Sequence, residues 1–297
     1  MHVEQLTYGA LTPSLSFAMS YLGCLLGLMC ATRARLYSGI GRTAWMIAAA
    51  LSLGGPGIWV MHFVAMLGFS LPGMQVRYNL PVTGLSAVIA IAAVGAGLAC
   101  VGDQPRPWRL VAGGVLTGLG VVGMHYLGMA AMVVPATMSY QPLLVAASVV
   151  IAVIASTVAL WFTLVIRSRL TSVVAALAMA IAVCGMHWTG MAAVRMHASP
   201  HAMTGGTAVS DFLLPLGLVV GSLTVALCLL VPFAVSPADV RADAELEDRI
   251  AAARRSGPPT EPTGEPLLTQ LPLKSPSAGR SSTASAFGRR LRDTHDR

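Results

Sequence analysis

The chain has 297 residues, of which 55% are hydrophobic and only 10% charged. Soluble domains carry about 25% charged residues, so this composition excludes an ordinary water-soluble fold and suits a chain solvated by lipid. The formal charge of +7 comes from scattered arginines with no basic run beside stacking aromatics, which excludes a nucleic-acid footprint.

In chain order, residues 1–10 form a short segment on the outer side, and residues 1–32 contain no Lys or Arg to start a signal peptide. Seven apolar stretches follow, at 11–31, 43–69, 80–101, 110–133, 142–166, 171–194 and 212–234. Each is near the roughly 20 residues that cross a bilayer, and lipid offers backbone groups no partners, so helices are expected. The fold class is therefore all-α integral membrane, with seven transmembrane helices over 11–234. Arg33, Arg35, Arg42, Arg106, Arg109, Arg167 and Arg169 fall in loops on one side, against Arg77 and Arg195 on the other. That bias places the N-terminus outside and the C-terminus on the cytoplasmic side of the cell (plasma or inner) membrane.

Within the second stretch, Gly54-Gly55-Pro56-Gly57 predicts a kink, because proline removes a backbone hydrogen bond. It is either ordinary transmembrane bending or a device that tilts the following residues inward. No Asp or Glu occurs over residues 6–102 or 104–210, and the one lysine is Lys274. A Schiff-base lysine on the seventh helix is thereby excluded, and a carboxylate-driven pump is not supported. Cys24, Cys30, Cys100, Cys184 and Cys228 show no CxxC spacing and read as small apolar side chains. Residues 235–297, rich in Pro, Ser, Gly, Arg and Glu, are expected to form a mostly disordered cytoplasmic tail. A short helix is expected near 237–255. No catalytic domain fits in the tail, so the chain is not expected to be an enzyme.

One motif occurs three times: Met61-His62-Phe63 with Met66, Met124-His125-Tyr126 with Met129, and Met186-His187-Trp188 with Met191. On a helix, residues i and i+4 share a face, so each histidine and its later methionine aim at one point. The histidines are 63 and then 62 residues apart, an interval of two helices. The first six helices thus read as three helix-pair repeats with the seventh appended. All three motifs then lie on co-directional helices at similar depth, in the outer half of the membrane. Gly123, Gly128, Gly185 and Gly190 bracket the second and third copies, while Ala65 and Gly68 follow the first, and small residues permit close helix approach.

A single such histidine reads as a hydrogen bond to a neighbouring helix, and methionines commonly fill core gaps. Three copies in register point instead to a shared metal site. Imidazole suits copper, zinc, iron and nickel, and thioether sulfur favours Cu(I), so the set points to copper ahead of zinc. Magnesium and calcium want oxygen ligands. Met132, Met196, His197 and His201 are accessory outer ligands at most; for His2, His197 and His201 the solvated-loop reading stands ahead. Phe63, Tyr126 and Trp188 read as packing residues.

With these motifs in place the sequence resembles the MHYT domain, a bacterial seven-helix membrane sensor module. The tetrapeptide itself is absent; the copies read Met61-His62-Phe63-Val64, Met124-His125-Tyr126-Leu127 and Met186-His187-Trp188-Thr189. The resemblance covers residues 11–234. It implies a sensor that binds one or two copper ions near the outer face and detects a diatomic gas (oxygen, carbon monoxide or nitric oxide), often through attached cyclic-di-GMP domains. The expected function is a copper-binding membrane sensor of gas or redox state, partnered by the bilayer and an unidentified cytoplasmic signalling protein. The alternatives are copper transport or delivery, and haem held between histidines.

Overall fold

The structure is a computed structural model that describes residues 9–70, 76–102, 106–198, 206–208, 211, 245 and 248–252. Two compact units separate at Arg241. In the second, the described residues are helical, within the stretch where a short helix is expected.

The first unit is a helical bundle. Its elements run α1 (Leu11–Ala34), α2 (Gly39–Ser52), a π-helical segment (Leu53–Val60), α3 (Met61–Met66), β1 (Arg77–Tyr78), α4 (Leu80–Val101), α5 (Pro107–Ala130), β2 (Met132–Val133), β3 (Ala136–Tyr140), α6 (Pro142–Val165), α7 (Arg169–Ala192), β4 (Val194–Ala198) and β5 (Thr207–Ala208). From α2 through α3 the chain is one continuous helix, Gly39–Met66. Among the described residues six helices are long and apolar enough to cross a membrane, matching the first six expected stretches. The expected seventh, 212–234, and the tail beyond 252 lie outside the described residues.

The radial pattern of side chains is the reverse of a soluble protein. Leu85, Val88, Ile154 and Ile181 are more than half exposed, whereas Ser16, Ser20, Ser52, Thr83, Ser86 and Ser148 are buried. Leucine and isoleucine on the outside cost nothing in lipid, and inward hydroxyls can bond back to helix carbonyls. Ser52 does so to Ala48 at 2.7 Å, and Thr157 to Val153 at 2.7 Å. Helices α4, α5 and α6 each begin with proline in the first turn, where no amide hydrogen is needed.

The expected kink takes a specific form. Over Leu53–Val60 the helix widens to π geometry, with Pro56 inside it. A wider turn absorbs the missing proline N–H. Neighbours fix the segment closely. Ser20 donates to the Gly57 carbonyl at 2.9 Å, tying α1 to it. Trp59 Nε1 donates to Ser86 Oγ at 3.1 Å and toward the Thr83 carbonyl at 3.3 Å, tying it to α4.

The expectation of a purely helical fold needs amending at one end. After α3, α5 and α7 the connecting chains pair as short antiparallel strands: β2-β1-β5 in one sheet and β3-β4 in another. Tyr78 stands opposite Met132, and Met138 opposite Met196. These backbones lie beyond the helices, so strand pairing supplies the hydrogen bonds that helix geometry no longer does. The three motif helices all end beneath this strand cap.

Candidate metal centre

Each histidine sits four or five residues before the end of its helix, so all three reach about the same depth. They converge. His62 Nδ1 lies 3.1 Å from His187 Nδ1 and 3.2 Å from His125 Nδ1. The ring centroids are 4.9, 5.0 and 5.2 Å apart, and every pair meets edge-on. His62 and His125 are fully buried and His187 is 1% exposed.

The rings form a pinwheel: Nδ1 atoms face inward, and the Nε2 atoms of His62 and His125 point toward α5 and α7 respectively. A methyl group at Gly128 would stand 2.5 Å from His62 Nε2, and one at Gly190 would strike His125 Nε2. Each of these glycines lies three residues after its own histidine. The equivalent residue of the first copy is Ala65, which is buried. Gly123 and Gly185, expected to serve the same purpose, have nothing within 4 Å among the described residues.

Burial sharpens what this trio can do. All three Nε2 atoms are buried without a hydrogen-bond partner, and an unsatisfied buried polar atom costs about 1–3 kcal/mol. Neutral rings facing through Nδ1 also cannot satisfy one another fully, since each nitrogen offers either one proton or one lone pair. A cation at the focus would engage every Nδ1 lone pair. Three nitrogens each about 2.0 Å from one tetrahedral ion stand roughly 3.3 Å apart, close to the two short separations here. The donor set therefore fits a small ion that accepts imidazole.

Met61, Met66, Met124, Met129, Met186 and Met191 are each at most 2% exposed, packed at the level of the histidines. Met132 lies beyond the end of α5 at Ala130, in β2. Met196 is buried in β4, whereas His197 on the opposite face of that strand is exposed, with Nδ1 at 3.5 Å from Ser139 Oγ. His2 and His201 lie outside the described residues. Phe63, Tyr126 and Trp188 pack edge-on against their own histidines at 4.9, 4.9 and 5.1 Å, as packing residues should. The sequence reading did not foresee the tie from Trp59, although an indole N–H one turn before His62 was visible.

A lipid-suited helical bundle carrying three histidines at one buried focus defines a multi-pass helical membrane protein with an interior candidate site. Comparison with known proteins gives the family. Residues 55–114, 118–178 and 181–242 match the MHYT repeat, described as the bacterial signalling protein N-terminal repeat, and the chain belongs to that family. The matched repeats are out of phase with the expected helix pairs: each starts within a histidine helix, and the first two run on through α4 and α6 in turn, leaving α1 outside. A bifunctional diguanylate cyclase/cyclic di-GMP phosphodiesterase, MucR, of Pseudomonas aeruginosa is 35% identical over 84% of this chain and 37% of its own length. The cyclic di-GMP phosphodiesterase NbdA of the same organism is 44% identical over 50% of this chain and 20% of its own length. The signaling protein YkoW of Bacillus subtilis is 29% identical over 64% of this chain and 24% of its own length. The chain thus spans well under half of these relatives. No solved structure matches it.

Proposed function

We propose that the chain is a multi-pass membrane sensor whose histidine focus holds copper and reports a diatomic gas or redox state. The observation that carries this reading is the convergence of the three Nδ1 atoms at 3.1 and 3.2 Å. Copper, when bound, would supply an ion that changes oxidation state and can take a further small ligand. His62, His125 and His187 would hold it, with Met66, Met129 and Met191 one helical turn away as soft donors and Met61, Met124 and Met186 beside them. Met132, Met196, His197 and His201 stay outside this proposed ligand set.

Each ligand histidine belongs to a different helix, so a change at the focus is felt by three helices at once. Those helices run to the arginine-rich end, where a cytoplasmic signalling partner or an attached domain would read their displacement. Kinship with cyclic-di-GMP enzymes supports a sensory role. The haem alternative is less well served. Two axial nitrogens about 2.0 Å from one iron stand roughly 4 Å apart, and the facing Nδ1 atoms here are 3.1 and 3.2 Å apart. Copper transport would need ligands continuing toward the arginine-rich end, and the cavity beyond the histidines offers only Cys24, Met179 and Met186 as soft donors among mainly aliphatic side chains such as Val94, Val121 and Leu160, with no imidazole among its described lining residues.

The test is metal analysis of the purified full chain with a visible spectrum. Wild type should retain copper and show no haem band, and His125→Ala should lose most of the metal. Equal copper in both proteins would reject the centre; a haem spectrum would reject the choice of cofactor.

A further inference from the structure

We infer that the end of the bundle opposite the strand cap carries a binding pocket for a phosphate-bearing anion, supplied in the membrane by the head group of an acidic phospholipid. This site is separate from the histidine focus and does not depend on the metal reading. Between α1, α2, α4 and α6 lies an open cavity of about 640 Å³. Arg35, Arg42 and Arg167 line it, and Met46, Leu98 and Val165 form part of its apolar wall. No carboxylate is among its described lining residues, and the sequence places one acidic residue, Asp103, in the three loops at this end.

The arginines are held together by the fold. Arg35 donates to the carbonyls of Leu164 and Ile166, closing the free C-terminal end of α6. That bond brings its guanidinium beside Arg167. Partial burial and then the neighbouring Arg167 charge lower the Arg35 pKa from its ordinary value. Two like charges held close gain from an anion shared between them, and guanidinium forks match phosphate oxygens in geometry. On the adjoining side Arg42 also lines a second opening, with Arg109. A basic rim over an apolar wall suits a molecule with a phosphate at one end and acyl chains at the other. Basic pockets between transmembrane helices have this chemistry.

The experiment uses the purified full chain in detergent, with phosphatidylglycerol or phosphatidylcholine added and bound lipid read by native mass spectrometry. Wild type should retain phosphatidylglycerol over phosphatidylcholine at equal concentration. Arg42→Gln and Arg167→Gln should each weaken that retention about fivefold, while Arg42→Lys and Arg167→Lys should preserve most of it. Inorganic phosphate is the competing arm on wild type. Phosphatidylglycerol that survives phosphate identifies a lipid site. Displacement by phosphate, with no preference between the two lipids, identifies a free anion as the natural occupant. No preference and no displacement would overturn the proposal, as would undiminished phosphatidylglycerol retention in a protein with both glutamine substitutions.

Discussion

A single methyl group is enough to test the pinwheel. Gly128→Ala places a carbon 2.5 Å from His62 Nε2, and Gly190→Ala places one against His125 Nε2. The rings are buried on every side, so relief must come from displaced Nδ1 atoms or separated helices. Overpacking of this kind costs about 1–3 kcal/mol. Both variants should unfold at lower temperature and retain less copper. Gly123→Ala and Gly185→Ala, which meet nothing within 4 Å among the described residues, should keep the metal, and exchanging a helical glycine for alanine favours the helix by up to about 1 kcal/mol. Four variants of equal stability and metal content would refute the pinwheel. The sequence marked all four glycines as permitting approach but could not separate them. Spacing fixes which residues share a helix face; it does not fix how far each helix is rotated toward its neighbour. For the same reason the convergence of His62, His125 and His187 was legible, whereas the inward turn of Nδ1 was not.

At the scale of elements, the π-helical segment decides where His62 arrives. Gly54-Gly55-Pro56-Gly57 announced a bend in the sequence, but its widening to π geometry depends on α1 and α4, which grip it from two sides. A Cβ at Gly23 would lie 2.5 Å from Gly57 Cα, backbone that cannot move aside as a side chain could. Gly23→Ala should therefore push α1 from the segment, lower the unfolding temperature and shift His62 out of register. Trp59→Phe keeps the ring volume and removes the indole donor to Ser86 and Thr83, a loss of about 1 kcal/mol. We expect Trp59→Phe to be the milder variant in thermal unfolding, with copper content falling less than in Gly23→Ala. Unchanged metal in Gly23→Ala would show that the segment does not position the centre. The strand cap escaped the sequence reading altogether. Pairs as short as Arg77–Tyr78 with Met132–Val133 carry no period-two pattern long enough to stand out. They form because three helix ends bring their connections to one place.

For the whole molecule, the remaining question is which way the bundle faces and how many times it crosses. Among the described residues, six spanning helices place both ends of that array on one side. Seven arginines lie at one end against Arg77 and Arg195 at the other, and by that bias the strand cap is expected to face outward. With the N-terminus outside, six crossings would return the chain outside at Asp211. A cytoplasmic C-terminus therefore requires one further crossing, by residues 212–234, so orientation and parity are tested together. Leu36, exposed between α1 and α2, and Thr137, exposed in β3, supply probes at opposite ends. In intact cells a membrane-impermeant thiol reagent should label Thr137→Cys and spare Leu36→Cys until the cells are lysed. Cys24, Cys30 and Cys184 are buried and Cys100 is partly so, and Cys228 lies outside the described residues, so a Cys228→Ser protein is the blank and background for both probes. A green fluorescent protein fused after residue 297 should fluoresce, because it matures in the cytoplasm, and an alkaline phosphatase fused there should be inactive. Reversed labelling at the two cysteines would overturn the orientation. Correct labelling with an active phosphatase would retain it and deny the seventh crossing.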